Sequence, residues 1–413
     1  VRTLISIALL VATVGITFWF WPRAASPERI EQLIAAKHYD TATRAAEEWL
    51  ASHPNDPKVL YDLARARSGA GDHAGCIEAA HRIPAWSLRK AAALLFAGKS
   101  YRQLHQGRKS EENFQQAIAR DPSGPAAMEA RLELLGLYAM QERRQAFLNL
   151  VWRIYGELTE AERLLVLTMR LRIEFEQVHP ETNAAILSQM VEHDPEDANA
   201  VAGLAATYVH SGSLDDARKH YETAVSLAPD DPELRERLCG VLQQRGDTSA
   251  LANVLEAVDP TSIGRAATWR FVGVLAQSRR DLPAATKAFE HAIALDPLDL
   301  ESHHRLSQIL FQQAKKAEAE AHAAKRDRLR NGRESLHKAW DAFANAYERD
   351  SNAVPIPLFL DLARGCAASG LDAEALACYR EIARRDPSNE EARDRVSRAE
   401  NTDPGRSRAA GSD

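Results

Sequence analysis

The sequence predicts an all-α fold, a solenoid of stacked helix pairs behind a single apolar segment of membrane length. Three observations predict it. Residues 217–233, ARKHYETAVSLAPDDPE, and 285–301, ATKAFEHAIALDPLDLE, place Ala, an aromatic, Ala and Pro at one set of offsets, 68 positions apart. Offsets of 0, +4 and +7 fall on one buried helical stripe, and the proline at +12 stops the helix because it lacks an N–H and clashes with the preceding turn. Residues 3–21 carry no charge over 19 positions, close to the roughly 20 that cross a bilayer as a helix.

The apolar segment comes first. A secretory signal has a shorter apolar core and a small-x-small cleavage site. Here the run ends in Trp19, Phe20, Trp21, Pro22 and Arg23. Aromatics at that end suit the headgroup interface, and Arg23 sits badly in a cleavage motif. We read 1–22 as an uncleaved anchor with Trp19, Trp21 and Arg23 at the membrane interface, against a cleaved signal or a buried soluble helix as alternatives. The flanking charges, Arg2 on one side and Arg23 and Arg29 on the other, give little positive-inside contrast. A short N-terminal flank favours a single-pass protein of the inner (cytoplasmic) membrane with its body exported to the periplasmic side. A cytoplasmic body is the other orientation.

Behind the anchor the unit is helix, Gly-containing turn, helix, Pro-containing turn. Leu204, Tyr208 and Gly212 supply the first helix and its turn ahead of Ala217, Tyr221, Ala224 and Pro229. Small alanines let a neighbouring helix approach, and the aromatic fills the space beside them. Unit 266–299 repeats this with Trp269, Gly273, Ala285, Phe289, Ala292 and Pro297. Unit 91–124 has Gly98, Tyr101, Phe114, Ala117 and Pro122, with Ser110 for the first Ala. Unit 356–389 has Leu362, Ala363, Gly370, Ala375, Tyr379 and Pro387. Unit 23–56 keeps Ala42 and Pro54 around Ala46 and Trp49.

This pattern resembles the tetratricopeptide repeat, whose 34-residue period carries W-x2-L-G-x2-Y, then A-x3-F and P. The resemblance implies about ten helix-turn-helix (TPR) units winding as a right-handed superhelix. Units begin at 23, 57 and 91, covering 23–124, and again at 164, 198, 232 and 266, covering 164–299. Between them 125–163 is an irregular unit with a short insertion. The unit 300–355 contains a charged insertion, 314–333, expected to prolong its first helix, so that the second begins near Glu334 and carries Ala339, Phe343 and Ala346. Unit 356–389 is the last repeat, 388–400 a polar closing helix, and 401–413 reads as a disordered tail.

Composition bounds the function. With 45% hydrophobic and 27% charged residues, the 413-residue chain can bury a core. A formal net charge of −6 argues against a dedicated nucleic-acid binder. The run KRDRLRNGR within 314–333 reads as a solvated helix, with anionic lipid or nucleic acid as the sharper alternatives. Cys76, Cys239, Cys366 and Cys378 form no CxxC pair, and Cys366 and Cys378 fall on the two helices of one unit. No phosphate loop, HExxH or GxSxG occurs. His73, Cys76 and His81 form the nearest metal-like cluster, but Cys76 holds a small-residue packing position. The expectation is a protein without enzyme activity, cofactor or metal.

A partner remains to be placed. In the repeat family this chain resembles, the first helices line a concave groove. Here basic groups such as Lys99, Arg102 and Arg364 nearly balance acidic ones such as Glu129, Glu133 and Asp361. Neither the basic clamp for chaperone C-terminal carboxylates nor an Asn ladder is present. One stretch stands apart. Ala206, Gly240 and Val274 keep the groove deep, and Arg237, Arg270, Phe271, His304, Arg305 and Phe311 flank it. An apolar floor beside guanidinium groups suits an extended peptide bearing a carboxylate and a hydrophobic side chain. The class implied is a membrane-anchored scaffold for other proteins or extended peptides, assembling or chaperoning proteins of a bacterial envelope. An accessory subunit of a membrane enzyme, or of a secretion, cytochrome-maturation or polysaccharide-export complex, is the alternative.

Overall fold

A computed structural model describes residues 25–158, 160–175, 180–256, 264–351 and 353–402. The expected anchor at 3–21, with Trp19, Trp21 and Arg23, lies outside the described residues, as does 403–413. Among the described residues every regular element is a helix, and no helix is long and apolar enough to cross a membrane. The chain divides into two compact units, one ending at Leu134 and one beginning at Leu135.

The first unit contains α1 (Pro27–Ala35), α2 (Tyr39–Ser52), α3 (Pro57–Ala70), α4 (His73–Arg82), α5 (Lys90–Gln103) and α6 (Gly107–Arg120). Each packs on the next, and α1 and α5 both also touch α3. The stripe residues close the core: Ala42, Ala46, Leu60, Leu63, Ala64, Cys76 and Ala97 are buried in one cluster. Ser110, standing where other units have Ala, is buried and donates its hydroxyl to the Gly98 carbonyl at 2.8 Å.

Between the units in sequence runs α7 (Pro125–Met140). The second unit continues with α8 (Arg144–Glu157), α9 (Glu160–Phe175), α10 (Pro180–His193), α11 (Ala198–His210), α12 (Leu214–Leu227), α13 (Pro232–Arg245) and α14 (Thr248–Glu256). After it come α15 (Ala266–Ser278), α16 (Leu282–Leu295), α17 (Leu300–Gln312), α18 (Lys316–Arg349), α19 (Ile356–Ala368), α20 (Asp372–Arg385) and α21 (Glu390–Thr402). Sequential packing holds from α10 to α14 and from α15 to α21. Helix α9 adds a non-sequential contact, lying against α18 and α20.

Two local devices punctuate the helices. Where a first helix ends, one residue turns left-handed: Gly71 (φ 81°) and Gly212 (φ 78°) do so without a Cβ penalty, while Lys37, His105, Glu142, Arg280 and Ala314 do so at φ of 55–61°. The following N–H then bonds back over the turn, as Asp72 to the Arg67 carbonyl and Ser213 to the Tyr208 carbonyl, closing a Schellman motif. Where the next unit starts, an aspartate caps the helix. Asp56 accepts from the Lys58 and Val59 amides, Asp197 from Asn199 and Ala200, and Asp231 from Glu233 and Leu234.

The insertion departs from expectation. The first helix of its unit, α17, stops at Gln312, and 314–333 instead belongs to the second, α18, which runs unbroken for 34 residues. Ala, Glu, Lys and Arg are strong helix formers, and with no proline between Lys316 and Arg349 nothing interrupts them. Its inner stripe is also better defined than composition suggests, since Ala319, Leu329, Gly332, Leu336, Trp340 and Phe343 are all buried. Gly332 marks a close approach: a Cβ there would stand 2.4 Å from the Ala368 carbonyl oxygen. Ala339 and Ala346 are half-buried beside Phe343.

Candidate functional site

In the second unit α7, α8, α11, α13 and α15 enclose an open cleft of about 640 Å³. Its floor is Phe271, which is 4% exposed, and Gly240 lies opposite. A Cβ on Gly240 would stand 3.9 Å from the Phe271 ring, at van der Waals contact, so the glycine adds no bulk over it. Tyr138, Phe147 and Leu148 supply further apolar wall, and Glu142, Arg144, His210, Glu233, Glu236, Arg265 and Arg270 supply charge.

These charges are organised in pairs. Arg265 grips Glu236 through two N–H groups at 2.8 and 2.7 Å, and Thr268 donates to the same carboxylate at 3.0 Å. His210 and Glu142 meet at 2.6 Å. Arg270 donates from Nη1 to Asp299 at 3.1 Å, and its guanidinium carbon lies 5.2 Å from the centre of the Phe271 ring. Asp299 is itself the cap of α17, so Arg270 is held from behind by a group that cannot move freely. Its Nη2 and Nε donors have no protein partner among the described residues, which leaves it the means to take a carboxylate above the aromatic floor.

Arg237 has a different task from the one its position suggests. Its guanidinium donates to the Gln141 carbonyl at 3.3 Å, to the Glu142 carbonyl and to the Glu233 carboxylate at 2.6 Å. The two carbonyls belong to the turn that ends α7, where the helix dipole is negative. Arg237 thus fastens α13 to the end of α7 and is occupied by protein acceptors. Beside it, burial pushes the Tyr221 phenol up to about 12, against the opposing pull of Arg237.

Of the other sequence candidates, His304, Arg305 and Phe311 lie on α17 and do not line the cleft. His304 accepts from Arg326 on Nδ1 at 2.9 Å, and Arg305 is bound to Glu301 and, at 3.0 Å, to Gln277. Phe311 is 68% exposed. Residues from the irregular unit, Tyr138 to Leu148, form one wall and were not anticipated, because their repeat has no clean register in sequence. Away from the cleft, Cys76 is buried and His81 meets Asn113 at 3.1 Å. Among the described residues no group of three metal-binding side chains could hold an ion.

Among the described residues the architecture is an all-helical array, most of its helices packed in sequence. A tetratricopeptide repeat model matches residues 181–242, the stretch from α10 to α13. Over 120 residues the chain is 28% identical to the "Cellulose synthase operon protein C" of Pseudomonas fluorescens, covering 27% of this chain and 9% of that relative. The chain therefore spans about a tenth of the length of that curated relative. Among solved structures, a MamA fragment from Desulfovibrio magneticus is 20% identical, covering 42% of this chain and 97% of that one at a TM-score of 0.34. Pseudomonas aeruginosa pilF is 15% identical, covering 57% and 95% at a TM-score of 0.34. A tetratricopeptide repeat protein from Parabacteroides merdae is 12% identical, covering 74% and 97% at a TM-score of 0.32.

Proposed function

We propose that this chain is a non-catalytic scaffold that holds an extended segment of a partner protein in the cleft of its second unit. The observation that carries the reading is the conjunction of Arg270 and Phe271 under Gly240. A rear-anchored guanidinium with donors to offer stands over an aromatic floor in a cleft large enough for several side chains. The ligand class that fits is a peptide with one carboxylate spaced one side chain from an apolar residue. The paired arginines and glutamates along the walls offer alternating donors and acceptors to its main chain. We further propose that residues 3–21 tether this scaffold to the inner membrane with the body exported, in the service of envelope assembly.

Crosslinking from a photoreactive residue at Ala267, which lines the cleft, followed by mass spectrometry would identify the partner. Arg270→Glu and Phe271→Ala are each expected to abolish that crosslink while the helical circular dichroism stays intact. An unchanged crosslink in both variants would refute the site. Protease protection on intact cells tests the orientation independently.

A second reading is an accessory subunit of a membrane complex for polysaccharide synthesis or export. It is favoured by the partial likeness to a protein named for a cellulose synthase operon. One stoichiometric enzyme partner in copurification supports this reading; a spread of unfolded clients supports a chaperone.

A further inference from the structure

The loop between α4 and α5 breaks the repeat. Helix α4 has 10 residues where second helices such as α2, α6, α12 and α16 have 14. Pro84 ends it early, and Leu88 stands where other units place their stop proline. The residues freed from the helix form a tight double turn, with the Ser87 amide donating to the Pro84 carbonyl and the Lys90 amide to the Ser87 carbonyl. Buried Ile83 and Ser87 pin it to the body, and between and beyond them Trp86 is 74% and Leu88 100% exposed. These are the two most exposed large apolar side chains among the described residues.

Basic groups gather around them. Arg120 donates to the Ala85 carbonyl, and Lys90 donates to the Ala80 and His81 carbonyls at 3.1 and 3.3 Å. The Arg89 guanidinium lies over the Tyr61 ring at 5.4 Å. None of these three has an ion-pair partner among the described residues, in a chain whose net charge is −6. Arg82, two residues before Pro84, donates to the Pro54 carbonyl at 3.2 Å and has Glu78 at 4.0 Å.

We propose that this loop is a membrane-docking wedge. Trp86 and Leu88 enter the interfacial zone of an anionic bilayer, and Arg89, Lys90 and Arg120 meet its phosphates. Two side chains on a turn fall far short of the roughly 800 Å² per partner that a specific protein interface buries. A bilayer demands no such shape match. It accepts an isolated wedge, favours Trp at the headgroup level and adds attraction for each basic residue near an acidic leaflet. The wedge is independent of the cleft and of residues 3–21.

The test is an environment-sensitive fluorophore on Leu88→Cys in the full chain. The four native cysteines are buried and leave the introduced thiol as the accessible one. With vesicles containing phosphatidylglycerol, its emission should shift to the blue and be quenched by lipids brominated near the headgroup, whereas a probe on exposed Glu48→Cys should do neither. Adding Arg89→Gln should lower the ratio of quenched to unquenched probe about fivefold. A Leu88→Cys probe that behaves like the Glu48→Cys probe would overturn the proposal. So would equal quenching in purely zwitterionic vesicles, or a blue shift that tracks protein concentration without lipid quenching, which would mark a protein contact instead.

Discussion

Gly98 and Phe114, Gly273 and Phe289, and Ile30 and Ala46 each occupy the same two positions of their repeats, one on the first helix and one on the second. The two positions share a fixed volume between helices. Where the second is a buried Phe, the first has no side chain at all, and a Cβ on Gly273 would stand 2.7 Å from the Phe289 ring. Where the second is Ala46, the first can be Ile30, fully buried. Gly273→Ala is therefore expected to destabilise the second unit by about 1–3 kcal/mol through overpacking, read as a lower urea midpoint. The turn position obeys a different rule. Exposed Arg280 holds a left-handed φ of 61° that Gly adopts freely, so Arg280→Gly should raise the midpoint by on the order of 0.5 kcal/mol once the extra chain entropy is deducted. A fall in midpoint for Arg280→Gly would show that its side chain does more than terminate α15.

Helix α18 completes a part-buried histidine pair in the second unit. His322 on α18 faces His303 on α17, with Nδ1 to Nδ1 at 2.9 Å. The other His303 nitrogen lies 3.3 Å from the Pro297 carbonyl and must donate to it, so His303 accepts on Nδ1 from a neutral His322. Burial lowers both pKa values. For His303, His322 and Lys325 lower it further while Asp299 and the Pro297 carbonyl oppose; for His322, Glu290 and Glu318 oppose. With folded-state values below the ordinary 6.5, the unfolded chain takes up protons first as the solution is acidified. The pair's contribution is complete above that value and is lost as pH falls through the folded-state pKa values. Replacing both by Leu should flatten the fall of the urea midpoint between about pH 7 and 5; an unchanged slope would exonerate the pair. This element also shows what sequence could and could not tell. The 34-residue stripe is legible wherever Ala, an aromatic and Pro recur, because burial there is set within one hairpin. The insertion's stripe is spread thinly over Ala319, Leu329 and Leu336, and its partner surface on α19 is not local. The cleft was half legible for the same reason. Gly240, Arg270 and Phe271 announce themselves by repeat position, but the wall from Tyr138 to Leu148 comes from a repeat without register. Arg237 falls at its repeat position on α13, but two of its acceptors, 95 and 96 residues away, leave no mark in the local sequence.

The second unit as a whole departs from a simple stack at α9. Leu164, Leu167 and Leu171 share a buried cluster with Leu336, Trp340 and Phe343 of α18 and with Ala375 and Cys378 of α20. Phe175 stacks on Trp340 at 6.0 Å, and Arg172 reaches Glu348 at 2.9 Å. At the centre of this contact Arg170 pairs with Glu374 at 3.0 Å, their side chains 4% and 6% exposed. A solenoid whose helices touch only their neighbours melts in segments, because its stability is a sum of nearest-neighbour terms. A contact between residues about 200 positions apart couples those segments, since opening either end exposes the same apolar surface. The buried pair is where this coupling can be cut with one atom change. Glu374→Gln takes the Glu374 carboxylate from buried Arg170, and removing one partner of a buried pair costs up to about 3–5 kcal/mol. Replacing both, as Arg170→Met with Glu374→Leu, removes both charges of the pair and should recover most of that loss. Hydrogen exchange distinguishes a local defect from a lost coupling. If α9 closes the second unit, Glu374→Gln will raise exchange in α9, α18 and α20 together. Faster exchange confined to α20 would mean that α9 rests on its neighbours without joining them.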